Sequence, residues 1–190
     1  FASDSQNDGH ATLSGLQQRA FLVDTLADIS VAGKAHNAQP DDTAFIQFSS
    51  GSTSEPKGIV LTHRNILTNA RGAGEAAAFS EQDVTLSWMP LTHDMGLIGM
   101  FIMMYAHRMQ LNMMPTELFV RRPLLWMQIA ARKRVTITSS PNFGFRHYLK
   151  VLSDRSVADL DLASIRLLFN GAEPISASLA REFIARLQPA

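Results

Sequence analysis

The sequence predicts an α/β layered fold, a sheet with helices packed against it. Two observations carry that reading. Short runs of β-branched and aromatic residues alternate along the chain with longer stretches whose apolar residues recur at helical spacing. The composition, 46% hydrophobic and 18% charged over 190 residues, supplies apolar material for one sizeable core, so one domain or part of one is expected.

The elements run in order along the chain. Residues 1–12 are polar and small and read as a loop or chain end, and Leu13, Leu16, Ala20, Val23 and Ala27 then mark a helix to about Ile29. Gly33 to Asp42 is a connector, so residues 1–42 read as end, helix and connector, and residues 43–190 as the domain proper. Strands are expected at Ala44 to Phe48, Ile59 to Leu61, Val84 to Trp88, Gln110 to Met113, Val135 to Thr138 and Arg166 to Phe169. Between them the helical patterns cover about Arg64 to Phe79, Met95 to His107, Pro123 to Arg132, Phe143 to Leu152 and Ala177 to Leu187. Pro123 suits a first helical turn, where its missing N–H is unneeded, and Ser176 suits a helix N-cap. His63, Arg64 and Asn65 read as the start of a helix.

Composition also sets limits on function. Lys and Arg number 17, as do Asp and Glu, and no basic run offers a row of charges to phosphates, which argues against a nucleic-acid partner. The chain has no Cys, so it has no disulfide, thiolate nucleophile or cysteine zinc site, and this fits a cytoplasmic protein. The six His lack metal-ligand spacing, so no metal ligand is assigned. The apolar stretch Met95 to Tyr105 is about half the ~20 residues a membrane span requires and reads as a buried helix. The chain opens on Phe1 without a leader pattern, and that start reads as the cut end of something longer.

In an α/β fold, chemistry is sought in the loops that leave the carboxyl ends of strands. The first is Ser49-Ser50-Gly51-Ser52-Thr53-Ser54-Glu55-Pro56-Lys57-Gly58. Its hydroxyls surround a glycine that lets the backbone turn tightly, and Lys57 adds a mobile positive charge, which are the parts a polyphosphate needs. Pro56 and Gly58 stand where a Walker loop requires Gly and a hydroxyl, so that reading is rejected. By composition alone the segment is a Ser-rich surface turn. Gly72-Ala73-Gly74 lacks the third glycine of a dinucleotide loop and follows no strand. The methionines at 95, 100, 103, 104, 109, 113 and 114 read as adaptable core.

Four blocks together resemble a known family. Ser50-Gly51-Ser52-Thr53 with Pro56-Lys57-Gly58 looks like the phosphate-binding loop of the adenylate-forming (AMP-binding) enzymes: acyl-CoA synthetases, luciferases and peptide-synthetase adenylation domains. Ser54 stands where many members carry Gly, a departure familiar among fatty acyl-AMP ligases. Ser87 to Gly99, with Pro90, His93, Asp94 and Gly96, resembles the motif that enters the acyl pocket of those ligases and related loading domains. Ser139-Ser140-Pro141-Asn142-Phe143 is similar to the loop that lines the same pocket, and Asn170-Gly171-Ala172-Glu173-Pro174-Ile175 to the one that packs along adenine. The blocks keep the family's order over about residues 43–187.

The resemblance implies that a carboxylic acid, a fatty acid first among the candidates, is activated by ATP with Mg²⁺ to an acyl-adenylate, pyrophosphate leaving, and is then passed to a thiol of an acyl carrier protein or CoA. It implies Ser50, Gly51, Ser52, Thr53 and Lys57 at the phosphates, and Asn170, Gly171, Ala172, Glu173 and Pro174 along the nucleotide. His93, Gly96, Ser140, Asn142 and Phe143 would line the acyl pocket, His93 and Lys57 serving catalysis. Asp94 is expected to turn away from an incoming carboxylate and hold backbone or His93, since like charges repel. Relatives that activate amino acids use a nearby Asp for the substrate ammonium, so an amino acid stays open, as does a binding module without turnover. The family's Mg-binding Glu, adenylation Lys and C-terminal lid would fall beyond residue 190, so this chain alone is expected to be inactive. Finally, His93, Asn142 or Phe143, and Gly171 are expected to meet in one cleft at neighbouring strand ends, and Ser49 to Gly58 to form a flexible, partly exposed loop between two strands.

Overall fold

The computed structural model describes residues 33–49 and 57–188. The expected helix at 13–29 and Ser50 to Pro56 of the expected flexible loop lie outside the described residues. The chain divides into two units, Phe1–Ala38 and Gln39–Ala190, and the second contains every strand described.

Two sheets form. Strands β1 (Thr43–Ser49) and β2 (Lys57–Thr62) pair antiparallel as a two-stranded hairpin. Strands β3 (Val84–Ser87), β4 (Gln110–Met113), β5 (Ile137–Ser140) and β6 (Leu167–Asn170) form a parallel sheet in the order β4-β3-β5-β6. Helix α1 (His63–Ala77) starts directly from β2. Thr62 caps it reciprocally with Asn65, Thr62 Oγ1 accepting from Asn65 N at 3.2 Å and Asn65 Oδ1 from Thr62 N at 3.0 Å.

Side-chain alternation along the parallel strands divides the core between two faces. On one face Leu86 joins Trp88, Phe119, Trp126, Phe145, Tyr148 and Phe183 in the larger cluster. These come from the sheet and from α3 (Thr116–Arg121), α4 (Leu125–Lys133), α5 (Asn142–Leu152) and α6 (Ala177–Leu187). Trp126, fully buried, donates its indole N–H to Thr138 Oγ1 at 2.9 Å, and Thr138 donates on to Leu86 O at 2.7 Å. Losing such a ring costs about 3–5 kcal/mol. On the other face Ile137 packs with Met100, Met104 and Met109, flanked by Phe79, Leu167 and Phe169.

The segment Met95–Ile102 is π-wound, Met103 N donating to Ile98 O, and α2 (Met103–Ala106) continues it. This corrects two expectations at once. The 3.6-residue period gives way to wider winding, and the stretch read as buried is mostly half-buried, with Tyr105 72% exposed. Other boundaries shift for local reasons. Val135 and Thr136, expected in β5, instead follow a helix C-cap at Arg134 (φ 53°), Val135 N donating to Ala130 O at 3.0 Å, so β5 starts at Ile137. Pro123 lies in the turn before α4 and accepts from Trp126 N at 3.0 Å. The six-residue helix α3 escapes a sequence reading because it is too short to display a period. Ser176 does cap α6, accepting from Leu179 N.

Candidate active site

The parallel strands aim their carboxyl ends the same way, so the loops after Ser87, Ser140 and Asn170 share one edge of the sheet. Adjacent registers bring Ser140 opposite Asn170. Beyond them Asn142, 4% exposed, ties two loops together: its Oδ1 accepts from Asn170 Nδ2 at 3.0 Å and Ser176 N at 3.1 Å, while its Nδ2 donates to Pro174 O at 2.8 Å. Glu173 Oε1 accepts from Phe143 N at 3.1 Å. Asn142, Phe143 and the segment Asn170 to Pro174 therefore form one hydrogen-bonded unit.

Within it Asn170 Oδ1 is buried and has no partner among the described residues. Gly171 is open: a Cβ built there would meet nothing nearer than Met95 Cε at 4.0 Å. Ala172 adopts φ 72°, a left-handed turn unusual for a residue with a side chain. Phe143 is half exposed, stacked on His147 with centroids 5.8 Å apart and edge-on to Trp88 at 6.2 Å.

His93 enters through the tight turn after Pro90, whose carbonyl accepts from His93 N at 3.1 Å. The exposed His93 ring accepts from Met95 N at Nδ1 (3.0 Å), which leaves Nε2 to carry the proton of the neutral ring. Asp94, expected to hold backbone or His93, instead accepts from the Gln47 side-chain amide of β1. Sequence reasoning had no signal for Gln47, which reaches from the hairpin to the turn before the π-wound segment. Gly96 is buried, and a Cβ there would lie 2.2 Å from Pro90 O, so its small size serves the turn's close backbone approach. Ser140 is buried beneath α5 and donates to Pro141 O at 2.8 Å. Lys57, exposed, is the first residue of β2 and pairs with Ser49 in the ladder, which places it where the chain re-enters the described hairpin. Ser50, Gly51, Ser52 and Thr53 lie outside the described residues.

Behind this edge lies an apolar pocket of about 500 Å³, bounded by α1, the π-wound helix and the sheet. Met95, Gly99, Met100, Met103 and Met104 form one wall, recurring at the wide spacing that i→i+5 closure brings to one side. Several methionines read as core thus also line a cavity. Met95 belongs both to this wall and to the surroundings of Gly171, so the pocket and the strand-end loops adjoin. Among the described residues no three His, Asp or Glu converge on a metal position, and no helix is long and apolar enough to cross a membrane.

The sequence is 37% identical over 150 residues to a medium-chain-fatty-acid acyl-carrier-protein ligase of Teredinibacter turnerae, covering 79% of this chain and 23% of that protein. It is 38% identical over 173 residues to a long-chain-fatty-acid AMP ligase of Mycolicibacterium smegmatis, covering 87% of this chain and 27% of that one. Among solved structures, the fatty acyl-adenylate ligase from L. pneumophila in complex with acyl adenylate and pyrophosphate superposes with TM-score 0.75 at 32% identity, covering 82% of this chain and 27% of that one. The chain thus spans about a quarter of the length of these relatives. Residues 3–190 match the AMP-binding enzyme family, and the chain belongs to it.

Proposed function

We propose that this chain forms the nucleotide- and acyl-binding part of an enzyme that joins a fatty acid to the α-phosphorus of ATP, releasing pyrophosphate, and delivers the acyl group to the phosphopantetheine thiol of an acyl carrier protein in the cytoplasm. One observation carries the reading: an apolar pocket of about 500 Å³ adjoins, at Met95, a polar strand edge with an open glycine. A fatty chain needs the first and a nucleotide base the second. Relatives named as fatty-acid ligases acting on a carrier protein support the substrate and the acceptor.

In this proposal adenine lies against Gly171, with Asn170, Ala172, Glu173 and Pro174 along it. Lys57, with the hydroxyls of Ser50, Ser52 and Thr53, meets the phosphates. Carboxylate and phosphate are both anions, so the residues that gather positive charge and donors must lower the repulsion as they approach. Mg²⁺ shares that load as the counter-ion of ATP, with no ligand assigned from this chain. His93 Nε2–H is a donor for the carboxylate at the pocket mouth, and Asp94, engaged by Gln47, is drawn aside from it. In this proposal residues 43–190 constitute part of the adenylation domain.

The test is pyrophosphate exchange by the complete protein with acids of graded chain length. Fatty acids should support exchange, and Lys57→Ala should lower it roughly 10- to 100-fold at subsaturating ATP. Exchange supported by amino acids alone would overturn the substrate, and unchanged exchange in the variant would remove Lys57 from the phosphates.

A further inference from the structure

The apolar pocket has a direction. Met95, beside Gly171, marks its upper end at the carboxyl edge of the sheet. From there the lining descends beside β6 from Phe169 to Leu167, the first residue of that strand. Ala77, the last residue of α1, and Phe79 just beyond it complete the deep end. Ala77 is tied to the level of the strand starts, because its carbonyl accepts from Arg166 Nη1 at 2.9 Å and Arg166 directly precedes Leu167. Phe79 stands edge-on to both Phe169 and His107, with centroids 6.3 and 5.4 Å away. His107 is itself fitted against Gly74, where a Cβ would lie 2.0 Å from Nε2, and its Nδ1 donates to Met103 O at 2.8 Å. The deep end is therefore built from side chains packed between α1, α2 and β6.

Its depth can be measured along β6. Asn170, at the edge, lies three strand residues above Leu167, a drop of about 10 Å at about 3.3 Å per residue. An extended alkyl chain advances about 1.25 Å per carbon, from C–C bonds of about 1.5 Å meeting at about 111°, so about eight carbons span that drop. We propose that Ala77 sets the length of acid accepted: its methyl group leaves the deep end open to the tail of an acid of about ten carbons, and a larger side chain there shortens the acid that fits. Ala73, one turn earlier on the same wall, lies about 6 Å nearer the mouth. Neither residue falls in a block that the sequence resemblance assigned to the acyl pocket. The inference rests on the proposed function for the orientation of the acid and adds to it a residue that determines chain length.

Calorimetry without ATP measures binding of the even-numbered acids from hexanoate to tetradecanoate to the complete protein, and pyrophosphate exchange follows with each. In the wild type, affinity should rise about fourfold per methylene to about ten carbons and then level off. Ala77→Leu keeps a good helix former at the end of α1 and should keep the wild-type melting temperature. It should hold hexanoate within about twofold and weaken decanoate roughly 15-fold, the worth of two methylenes. Ala73→Leu, nearer the mouth, should flatten the whole series from hexanoate upward. A wild-type rise that continues to tetradecanoate overturns the proposal, as does an Ala77→Leu series with the wild-type shape or one lowered equally at every length. The expected length dependence without exchange for any acid upholds the role of Ala77 and overturns the adenylation reading instead. Should Ala77→Leu fail to fold, Ala77→Met, whose flexible side chain fills the same space, decides the matter by shortening the series or leaving it unchanged.

Discussion

Asn142 shows how a single side chain can organise a site without touching substrate. Sequence resemblance assigned it to the acyl pocket, yet both ends of its amide are engaged: Oδ1 with Asn170 and Ser176, Nδ2 with Pro174. We therefore regard it as a positioning residue that holds the segment Asn170 to Pro174 at the height of the strand edge. Asn142→Ala leaves an amide, a backbone N–H and a carbonyl unpaired in a half-buried place, and should cost about 2 kcal/mol in denaturant unfolding. It should raise KM for ATP and leave KM for the fatty acid nearly unchanged, whereas a residue that contacts the acid would do the reverse. Gly96 and Ser140 likewise have local roles in the turn and strand end, one fitted against Pro90 O and the other donating to Pro141 O beneath α5. The motifs were legible because side chains of the right type recur in the right order. Which of them face the cleft was not, because strand alternation and turn geometry decide it.

Among the elements, the amino ends of the strands are joined by one carboxylate. Asp83, 3% exposed, accepts from Arg166 Nε and Nη2 at 2.8 and 2.7 Å, from Thr136 Oγ1 at 2.7 Å and from Ser80 N at 2.9 Å. It thereby connects the approaches to β3, β5 and β6, and Arg166 reaches on to Ala77 O and Ala78 O at the end of α1. The Arg166 guanidinium, helped by Thr136 and Ser80, holds the Asp83 carboxyl well below the usual carboxylate range against the opposing effect of burial. A carboxylate with a lowered folded-state pKa contributes stability that is complete above its unfolded value of about 3.9 and is lost as pH falls toward the folded value. Asp83→Asn should therefore cost about 2 kcal/mol at pH 7, and the gap to wild type should narrow by about 1 kcal/mol between pH 5 and pH 3. Urea unfolding at both pH values checks this, and a gap independent of pH refutes it. The elements themselves were readable where period and length agree: Gln110–Met113 and Ala177–Leu187 fall where expected. The sequence reading failed where a cap extends beyond its helix, as at Val135, or where the winding departs from 3.6 residues per turn, as at Met95–Ile102.

At the scale of the molecule, the hairpin that carries Lys57 leaves Ile46, Phe48, Ile59 and Val60 exposed, at 53%, 71%, 48% and 55%. An apolar ribbon of this kind favours association or cover by further chain. Together with the quarter of relatives' length that the chain spans, this leads us to expect that the 190 residues alone do not turn over. Pyrophosphate release from ATP and a fatty acid should be undetectable for the chain by itself and present for the complete protein; equal rates would show that no lid is required. The π-wound wall has a consequence of its own for comparing whole sequences. Wide winding is a one-residue insertion concealed within a helix, so a homologue that lacks one residue between Asp94 and Met103 can retain every strand while winding that wall as an ordinary helix. Such a homologue would turn different side chains inward, and the range of acids it accepts would be reset by an alignment gap rather than by any substitution.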